Sequence, residues 1–164
     1  MILIGIGSNL PARGFASPLE TTQAALRSLA APHLQPIECS SWYESAPVPA
    51  SDQPWFINAV GLVATELEPA ALLERLLAVE SQFARIRSIA NAARSLDLDL
   101  LDYDGLIVET PRLTLPHPRL HQRRFVLEPL HEIAPGWRHP VSGLTAAELL
   151  AHLPPGQAIR RRDD

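Results

Sequence analysis

Apolar and polar residues alternate strictly in the segment Leu96-Asp97-Leu98-Asp99-Leu100. Successive side chains of a β-strand point to opposite faces, so this pattern predicts a strand with leucines on one face and aspartates on the other. The Cα atoms of Asp97 and Asp99 would then lie about 7 Å apart. The segment is therefore predicted to bury its leucine face and to present two neighbouring carboxylates on the other.

The rest of the chain alternates between strand and helix signals. Apolar and β-branched runs predict strands at residues 1–7, 34–43 and 55–65, with short strand segments at 106–109 and 113–115. Capping motifs and helical spacing predict helices from Ser17-Pro18 onward, over 68–84, over 124–133 with an interruption at Pro129, and from Thr145 to His152. Residues 46–54 contain three prolines and are predicted to form a loop.

This order of elements predicts an α+β fold. The order β-α-β-β-α-β is that of a ferredoxin-like α/β sandwich, in which helices pack on one face of a mainly antiparallel sheet. No repeat or linker marks a boundary, so residues 1–164 are expected to form a single domain.

Composition narrows the class of protein. An apolar content of 46% supports a full core, and a net charge of −4 argues against broad nucleic-acid binding. Cys39 is the only cysteine, which excludes an internal disulfide and is consistent with a reducing compartment. No apolar run is long enough to span a bilayer, so we expect a cytoplasmic protein with no membrane partner. A monomer is expected, although no sequence feature fixes the oligomeric state.

The aspartate pair suggests a metal site. Two adjacent carboxylates raise each other's cost of ionisation, and divalent cations such as Mg²⁺ relieve that cost. A polar strand face that is simply solvated is the alternative for an isolated Asp-x-Asp pattern. All fourteen basic residues are arginine, and seven of them lie close to the pair in sequence: Arg85, Arg87, Arg94, Arg112, Arg119, Arg123 and Arg124. Guanidinium groups bind phosphate bidentately, so carboxylates and arginines together favour a metal–polyphosphate site.

A set of ordered motifs supports this interpretation. They are Gly7-Ser8-Asn9-Leu10, Ser41-Trp42-Tyr43-Glu44-Ser45, Asp52-Gln53-Pro54-Trp55-Phe56-Ile57-Asn58, Glu80 with Arg85-Ile86-Arg87, Arg94-Ser95-Leu96-Asp97-Leu98-Asp99-Leu100, Leu115-Pro116-His117-Pro118-Arg119-Leu120 and Arg123-Arg124-Phe125-Val126-Leu127. In this order and spacing, the chain resembles the 6-hydroxymethyl-7,8-dihydropterin pyrophosphokinases of folate biosynthesis. The resemblance extends from the first strand to about Pro135.

The resemblance implies an activity and a set of site residues. Members of that family transfer pyrophosphate from ATP to the hydroxymethyl group of a reduced pterin and release AMP. By this likeness, Asp97 and Asp99 would hold two Mg²⁺ ions. The residues implied for ATP binding are Glu80, Arg85, Arg87, Arg94, Leu100, Arg112, Thr114, His117 and Arg123, and those implied for pterin binding are Ser45, Val48, Phe56, Asn58 and Phe125. Arg85, Arg94 and Arg123 are also implied to take part in catalysis.

One segment departs from the family pattern, and two other functions stay open. Residues 88–93 lack the usual aromatic and Gly-Pro and are one residue shorter, so loop closure is expected to be weaker, with Trp42 and Trp55 as candidates for compensation. A different two-metal transferase on a ferredoxin-like sheet would also use paired aspartates. A non-catalytic module that binds a small effector would need no magnesium-dependent nucleotide binding.

Overall fold

The computed structural model describes residues 1–83 and 95–163. Within them, the strands are β1 Ile2–Ser8, β2 Leu34–Cys39, β3 Tyr43–Ser45, β4 Phe56–Thr65, β5 Asp97–Tyr103, β6 Val108–Glu109, β7 Thr114–Leu115 and β8 Ile159–Arg161. The helices are α1 Pro18–Leu29, α2 Pro69–Phe83, α3 Arg124–Ile133 and α4 Ala146–His152, with a single 3₁₀ turn at Leu120–Gln122. The predicted α+β class is confirmed.

The main sheet has the ferredoxin-like strand order. In the described residues it runs β5-β1-β4-β3-β8, with β2 also paired to β4, and every pairing is antiparallel. β2 pairs with residues 61–65 of β4, and β3 pairs with residues 56–58. β2 and β3 therefore act as one interrupted strand beside β4, which places β1 and β4 at the centre.

The predicted strand at 34–43 is broken at Ser40. The Ser40 N–H donates to the Val60 carbonyl at 2.9 Å, and the Ser40 hydroxyl accepts from the Val60 N–H at 3.0 Å. The Ser40 hydroxyl thus replaces a backbone carbonyl as the acceptor of one hydrogen bond between the strands, and the backbone can turn between β2 and β3. Hydroxyl residues compete with regular backbone pairing in this way.

Helices cover both faces of the sheet, and not one face as the sequence predicted. α1 and α2 pack on the face that carries Ile2, Ile4 and Ile6 of β1. The neighbouring position Leu3 belongs to a second cluster with residues of α3 and α4, including Leu127 and Leu149. Alternate β1 side chains therefore enter two separate cores.

α3 continues through Pro129 without the predicted interruption. Val126, Leu127 and Leu130 of this helix are buried in the second core. A proline inside a helix costs about 3 kcal/mol, and burial of three large side chains offsets that cost.

The last strand, β8, is held to the sheet by backbone pairing and by ion pairs. β8 pairs with β3, and the Glu44 carboxylate accepts from Arg160 Nε at 2.7 Å and from Arg162 at 2.8 Å. The Arg160 guanidinium lies 5.6 Å from the centre of the Trp55 ring. These contacts fix β8 along the edge of the sheet beside the loop at 46–54.

Candidate active site

A cleft of about 640 Å³ opens on the sheet face opposite α1 and α2. Its floor is formed by β1, β4 and β5, where Gly7 pairs with both Asn58 and Asp97, and Gly5 with Asp99. Because directly opposed residues of a sheet share a face, these side chains converge on one side. The cleft contains most of the site residues predicted from the sequence: Ser45, Val48, Phe56, Asn58, Asp97, Asp99, His117, Arg123 and Phe125.

The aspartate pair lies on β5 as the alternation predicted. Leu96, Leu98 and Leu100 are buried in the core under α1 and α2, whereas Asp97 and Asp99 are half-buried and line the cleft. Glu80 of α2 accepts the Leu98 N–H at 2.9 Å. This hydrogen bond attaches β5 to α2 and so limits movement of the two carboxylates.

Glycine at the floor positions leaves room for the polar groups around it. A Cβ at Gly7 would lie 2.9 Å from Asn58 Oδ1, closer than side chains pack. The Asn58 amide cannot easily move aside, since its Nδ2 donates to the Ser45 hydroxyl at 2.5 Å. No role for Gly5 or Gly7 is predictable from the sequence, because their importance depends on register with a distant strand.

The first residues of α3 place a cation beside the aspartates. Arg123 Nη1 lies 3.8 Å from Asp99 Oδ2, and the guanidinium carbon lies 5.4 Å from the centre of the Phe125 ring. Burial lowers the pKa of Arg123, with Asp99 and Asp97 opposing that shift and Arg119 adding to it. Arginine nevertheless stays charged at neutral pH, because its ordinary pKa is so high.

His117 completes this side of the cleft. Its ring Nδ1 accepts the Arg119 backbone N–H at 3.1 Å, and the backbone N–H of His117 donates to the Leu101 carbonyl at 2.8 Å. Burial lowers the pKa of His117, and although Asp99 opposes this, Arg123 and Arg119 contribute in the same direction. The net shift favours the neutral imidazole in the protein without substrates.

The apolar part of the cleft is formed by two aromatic rings and by the loop at 46–54. Phe56 begins β4 and Phe125 lies in the first turn of α3, and both are half-buried. Residues 46–54 form the predicted loop, and Val48 at its exposed part lines the mouth of the cleft. Asn9 Nδ2 donates to Gln53 Oε1 at 3.0 Å and to the Pro54 carbonyl at 3.3 Å, which ties the Gly7-Ser8-Asn9 turn to this loop.

Several predicted residues lie elsewhere. Glu80, Leu100, Arg112 and Thr114 are not among the described residues that line the cleft. Leu100 is buried in the core, Arg112 is exposed with Nη1 3.7 Å from Glu74 Oε1, and Thr114 is exposed on β7. Arg85, Arg87 and Arg94, with the altered segment 88–93, lie outside the described residues.

The aspartate pair suits a metal that is shared with a substrate. Among the described residues, no cluster of three or more His, Cys, Asp or Glu side chains could hold a metal by itself. Mg²⁺ commonly binds through one or two carboxylates and completes its shell with water and substrate phosphates. Asp97 and Asp99 provide that donor set, with a cation and a half-buried histidine close by.

The fold and the cleft thus define a ferredoxin-like protein with adjoining anionic, cationic and aromatic subsites. Residues 3–135 match the model of the 7,8-dihydro-6-hydroxymethylpterin-pyrophosphokinase family, and the chain belongs to that family. As the resemblance implied, the activity is pyrophosphoryl transfer from ATP to hydroxymethyldihydropterin in folate synthesis.

Individual relatives agree over most of the chain. It is 40% identical to the 2-amino-4-hydroxy-6-hydroxymethyldihydropteridine pyrophosphokinase of Synechocystis over 90% of its own length and 73% of the relative's. The enzyme of the same name from Haemophilus influenzae is 42% identical over 80% of this chain and 79% of the relative. That of Pseudomonas aeruginosa is 38% identical over 93% and 91%, respectively. In the described residues, no helix is both long and apolar enough to cross a membrane.

Proposed function

We propose that this cleft is the site of pyrophosphoryl transfer, with the nucleotide phosphates on the β5 side and the pterin on the aromatic side. The observation that carries the proposal is the placement of Asp97, Asp99, Arg123 and His117 in one cleft with Phe56, Asn58 and Phe125. The carboxylates, the arginine and the histidine suit the magnesium and phosphates of the nucleotide, and the two rings and the amide suit the pterin. Their adjacency would bring the hydroxymethyl oxygen of the pterin close to the β-phosphorus of ATP.

Asp97 and Asp99 would hold two Mg²⁺ ions that accompany ATP. Both are carboxylates on one face of a strand that Glu80 and the leucine core hold in place. Bound there, Mg²⁺ would neutralise the triphosphate charge and orient the phosphates for in-line displacement.

Arg123 and His117 would contact the phosphates directly. The Arg123 guanidinium is largely removed from water, where a charge interacts more strongly with an anion than it does in solvent. The neutral His117 imidazole can donate one hydrogen bond from the ring nitrogen that does not accept the Arg119 N–H. By family resemblance, we assign Arg85, Arg87 and Arg94, which lie outside the described residues, to the same phosphates.

The pterin would lie between Phe56 and Phe125. Two aromatic side chains offer stacking area to a flat heterocycle, and the amide of Asn58 offers both a donor and an acceptor to its polar edge. Ser45 orients that amide, because its hydroxyl accepts from Asn58 Nδ2. Val48, at the mouth, would cover the outer side of the bound ring.

The adenosine end would extend from the cleft along the segment that carries Arg112, Thr114 and His117. Leu100 has a buried side chain, so any contribution from it to nucleotide binding would come from its backbone. Glu80 would act through β5, since its carboxylate holds the Leu98 N–H.

The chemistry requires positioning more than a strong base. A bond forms between the hydroxymethyl oxygen and the β-phosphorus, and the bond from that phosphorus to the α–β bridging oxygen breaks. AMP leaves with that oxygen, and the hydroxyl proton is released to solvent. Such transfers depend mainly on alignment and on neutralising charge. The proposal extends to a monomer that acts in the cytoplasm and takes no nucleic acid or membrane as partner.

The direct test is a coupled assay of AMP release and pterin pyrophosphate formation. The protein should release AMP from ATP only when Mg²⁺ and 6-hydroxymethyl-7,8-dihydropterin are both present, with one pterin pyrophosphate formed per AMP. Calorimetry of ATP with and without Mg²⁺ should show magnesium-dependent binding. AMP release that does not depend on the pterin, or binding that does not depend on Mg²⁺, would contradict the proposal.

A further inference from the structure

The helix that carries the aromatic side of the cleft lacks a cap of its own. Arg123 is the N-cap residue of α3, and its side chain makes no capping hydrogen bond. That side chain instead lies between Asp99 and the Phe125 ring. The first N–H groups of a helix have no partner within the helix, so they need an acceptor from elsewhere.

The side-chain amide of Gln157 supplies that acceptor. Gln157 Oε1 accepts the Arg124 N–H at 2.9 Å, and Gln157 Nε2 donates to the Gln122 carbonyl at 2.9 Å. These are the two peptide groups on either side of Arg123. One amide therefore holds the backbone of Arg123 at two points and restricts the rotations that direct its guanidinium.

The residues next to Gln157 hold the opposite side of the cleft. The Ala158 carbonyl accepts the Ala46 N–H at 3.0 Å, and Ile159 pairs with Ser45 in the sheet. Gly156 precedes Gln157 with φ of +118°, a conformation that glycine adopts easily and other residues resist. Residues 157–159 thus connect the turn at Arg123 to the end of β3 at Ser45 and to the start of the following loop.

We propose that Gln157 is a positioning residue for pyrophosphoryl transfer, which fixes Arg123 and Phe125 relative to the Ser45–Asn58 side of the cleft. Gln157 lies outside residues 3–135, the part that matches the family model. The inference rests on the proposed roles of Arg123 and Phe125. It assigns a function to a residue for which the sequence alone predicts none.

The test replaces Gln157 with methionine, which has a similar length and shape but cannot make either hydrogen bond. Gln35→Met is the matched control, because the Gln35 amide also donates to a backbone carbonyl, that of Ala31 at 2.8 Å, but at an exposed site away from the cleft. Steady-state kinetics with both substrates and thermal unfolding would be measured for each variant. For Gln157→Met we expect kcat to fall about tenfold and KM for the pterin to rise, as a misdirected arginine and ring would produce. Gln35→Met should keep the kinetic constants of the parent protein.

Gln157→Glu gives a graded check. Its carboxylate can still accept the Arg124 N–H but cannot donate to the Gln122 carbonyl at neutral pH. Its kcat should therefore lie between those of the parent and Gln157→Met. Parent-like kinetics in Gln157→Met, with no more than a lower melting temperature, would show that Gln157 is only structural. Should Gln157→Met not fold, parent-like kinetics in Gln157→Glu would overturn the proposal.

Arg123→Ala separates this proposal from the function on which it depends. Full activity in Arg123→Ala would overturn the proposed phosphate site itself. A large loss in Arg123→Ala together with unchanged kinetics in both Gln157 variants would overturn only the role of Gln157. A large loss in Arg123→Ala with graded losses at Gln157 is the expected result.

Discussion

The two faces of β5 show how one short strand serves stability on one side and chemistry on the other. Leu96, Leu98 and Leu100 enter the core beneath α1 and α2, whereas Asp97 and Asp99 line the cleft. The leucine face is fully desolvated and gains stability from burial. The aspartate face holds two like charges whose repulsion the Arg123 guanidinium, 3.8 Å from Asp99, offsets in part. The buried face thus holds in place a face whose carboxylates are available for chemistry.

The largest expected effect comes from the aspartate face. Asp97→Asn and Asp99→Asn should each lower kcat by about a thousandfold or more, since the amide is a poor ligand for Mg²⁺ and loses the charge that balances it. Stability without metal should stay equal or rise slightly in Asp97→Asn, because repulsion within the pair is relieved. Asp99→Asn should gain less, because it also loses the 3.8 Å contact with Arg123. Activity assays and thermal unfolding in chelated buffer measure the two effects. Parent-like turnover in either variant would refute the metal assignment.

A substitution on the leucine face should instead lower the stability of the protein. Leu98 is only 2% exposed, so Leu98→Ala should lower the free energy of unfolding by about 2–4 kcal/mol through lost burial and a cavity. Leu77→Ala is the control, because Leu77 on the neighbouring helix is 43% exposed and should cost much less. Denaturant unfolding measures both changes. Equal losses at the two sites would mean that the leucine face does not anchor β5.

The aromatic rings test whether the cleft has a separate pterin side. Phe56→Ala and Phe125→Ala should each weaken pterin binding by about 1–3 kcal/mol through lost stacking area, with little effect on Mg-nucleotide affinity. Calorimetric titrations with each ligand provide the comparison. A loss of stability without a selective loss of pterin affinity would mean that these rings are core residues.

A smaller effect is expected from the cleft floor. Gly7→Ala would place a Cβ 2.9 Å from Asn58 Oδ1 and should displace the amide that Ser45 orients. We expect pterin affinity to fall by about 1 kcal/mol, comparable to one misplaced hydrogen bond. Gly5→Ala is the comparison variant, since its Cβ would make an ordinary contact of 3.5 Å with Leu101. Equal pterin affinity in Gly7→Ala and the parent would show that the Asn58 amide adapts.

The smallest effect concerns protonation. The pKa of His117 is lowered, mainly by burial, and Arg123 and Arg119 add to the shift while Asp99 opposes it. Because the folded pKa is the lower one, the unfolded chain binds the proton first as pH falls. The neutral His117 therefore contributes its full stability above the unfolded pKa, and this stability is lost as pH falls through the folded pKa. NMR titration, with the His117 signal assigned through His117→Gln, should give a pKa below that of a free histidine, and a value at or above it would contradict the structure.

Local patterns in the sequence predicted the parts of the molecule that depend on near neighbours. The alternation at 96–100 predicted both faces of β5, and Thr145 with Glu148 forms the predicted reciprocal cap of α4. These signals depend on residues a few positions apart, where backbone geometry fixes the outcome. The Phe56, Asn58 and Phe125 assignments came instead from the ordered motifs of the family.

Features that depend on distant partners were not predictable in the same way. The break at Ser40 depends on Val60. The position of residues 157–162 depends on contacts with Glu44, with Trp55 and, through Gln157, with the turn at Arg123. Nothing in the local sequence of 157–162 indicates these partners. Glu80 was predicted to bind the nucleotide. Its contact with the Leu98 N–H depends on how α2 packs against β5, which the local sequence does not indicate.

The pairing of β5 with β1 contains one register shift, and this shift bears on differences in strand length between relatives. Ile4 pairs with Leu100 and Leu3 with Asp102, so Leu101 is an extra residue in the ladder and belongs to the second core cluster. Removing one residue at this bulge would restore a regular ladder and leave Asp97 and Asp99 on the same face. Removing one residue between Leu96 and Leu100 would shift part of the strand to the wrong face. We therefore expect relatives of different length in this strand to place their gap at the bulge, and alignments that place it among the alternating residues to be misregistered.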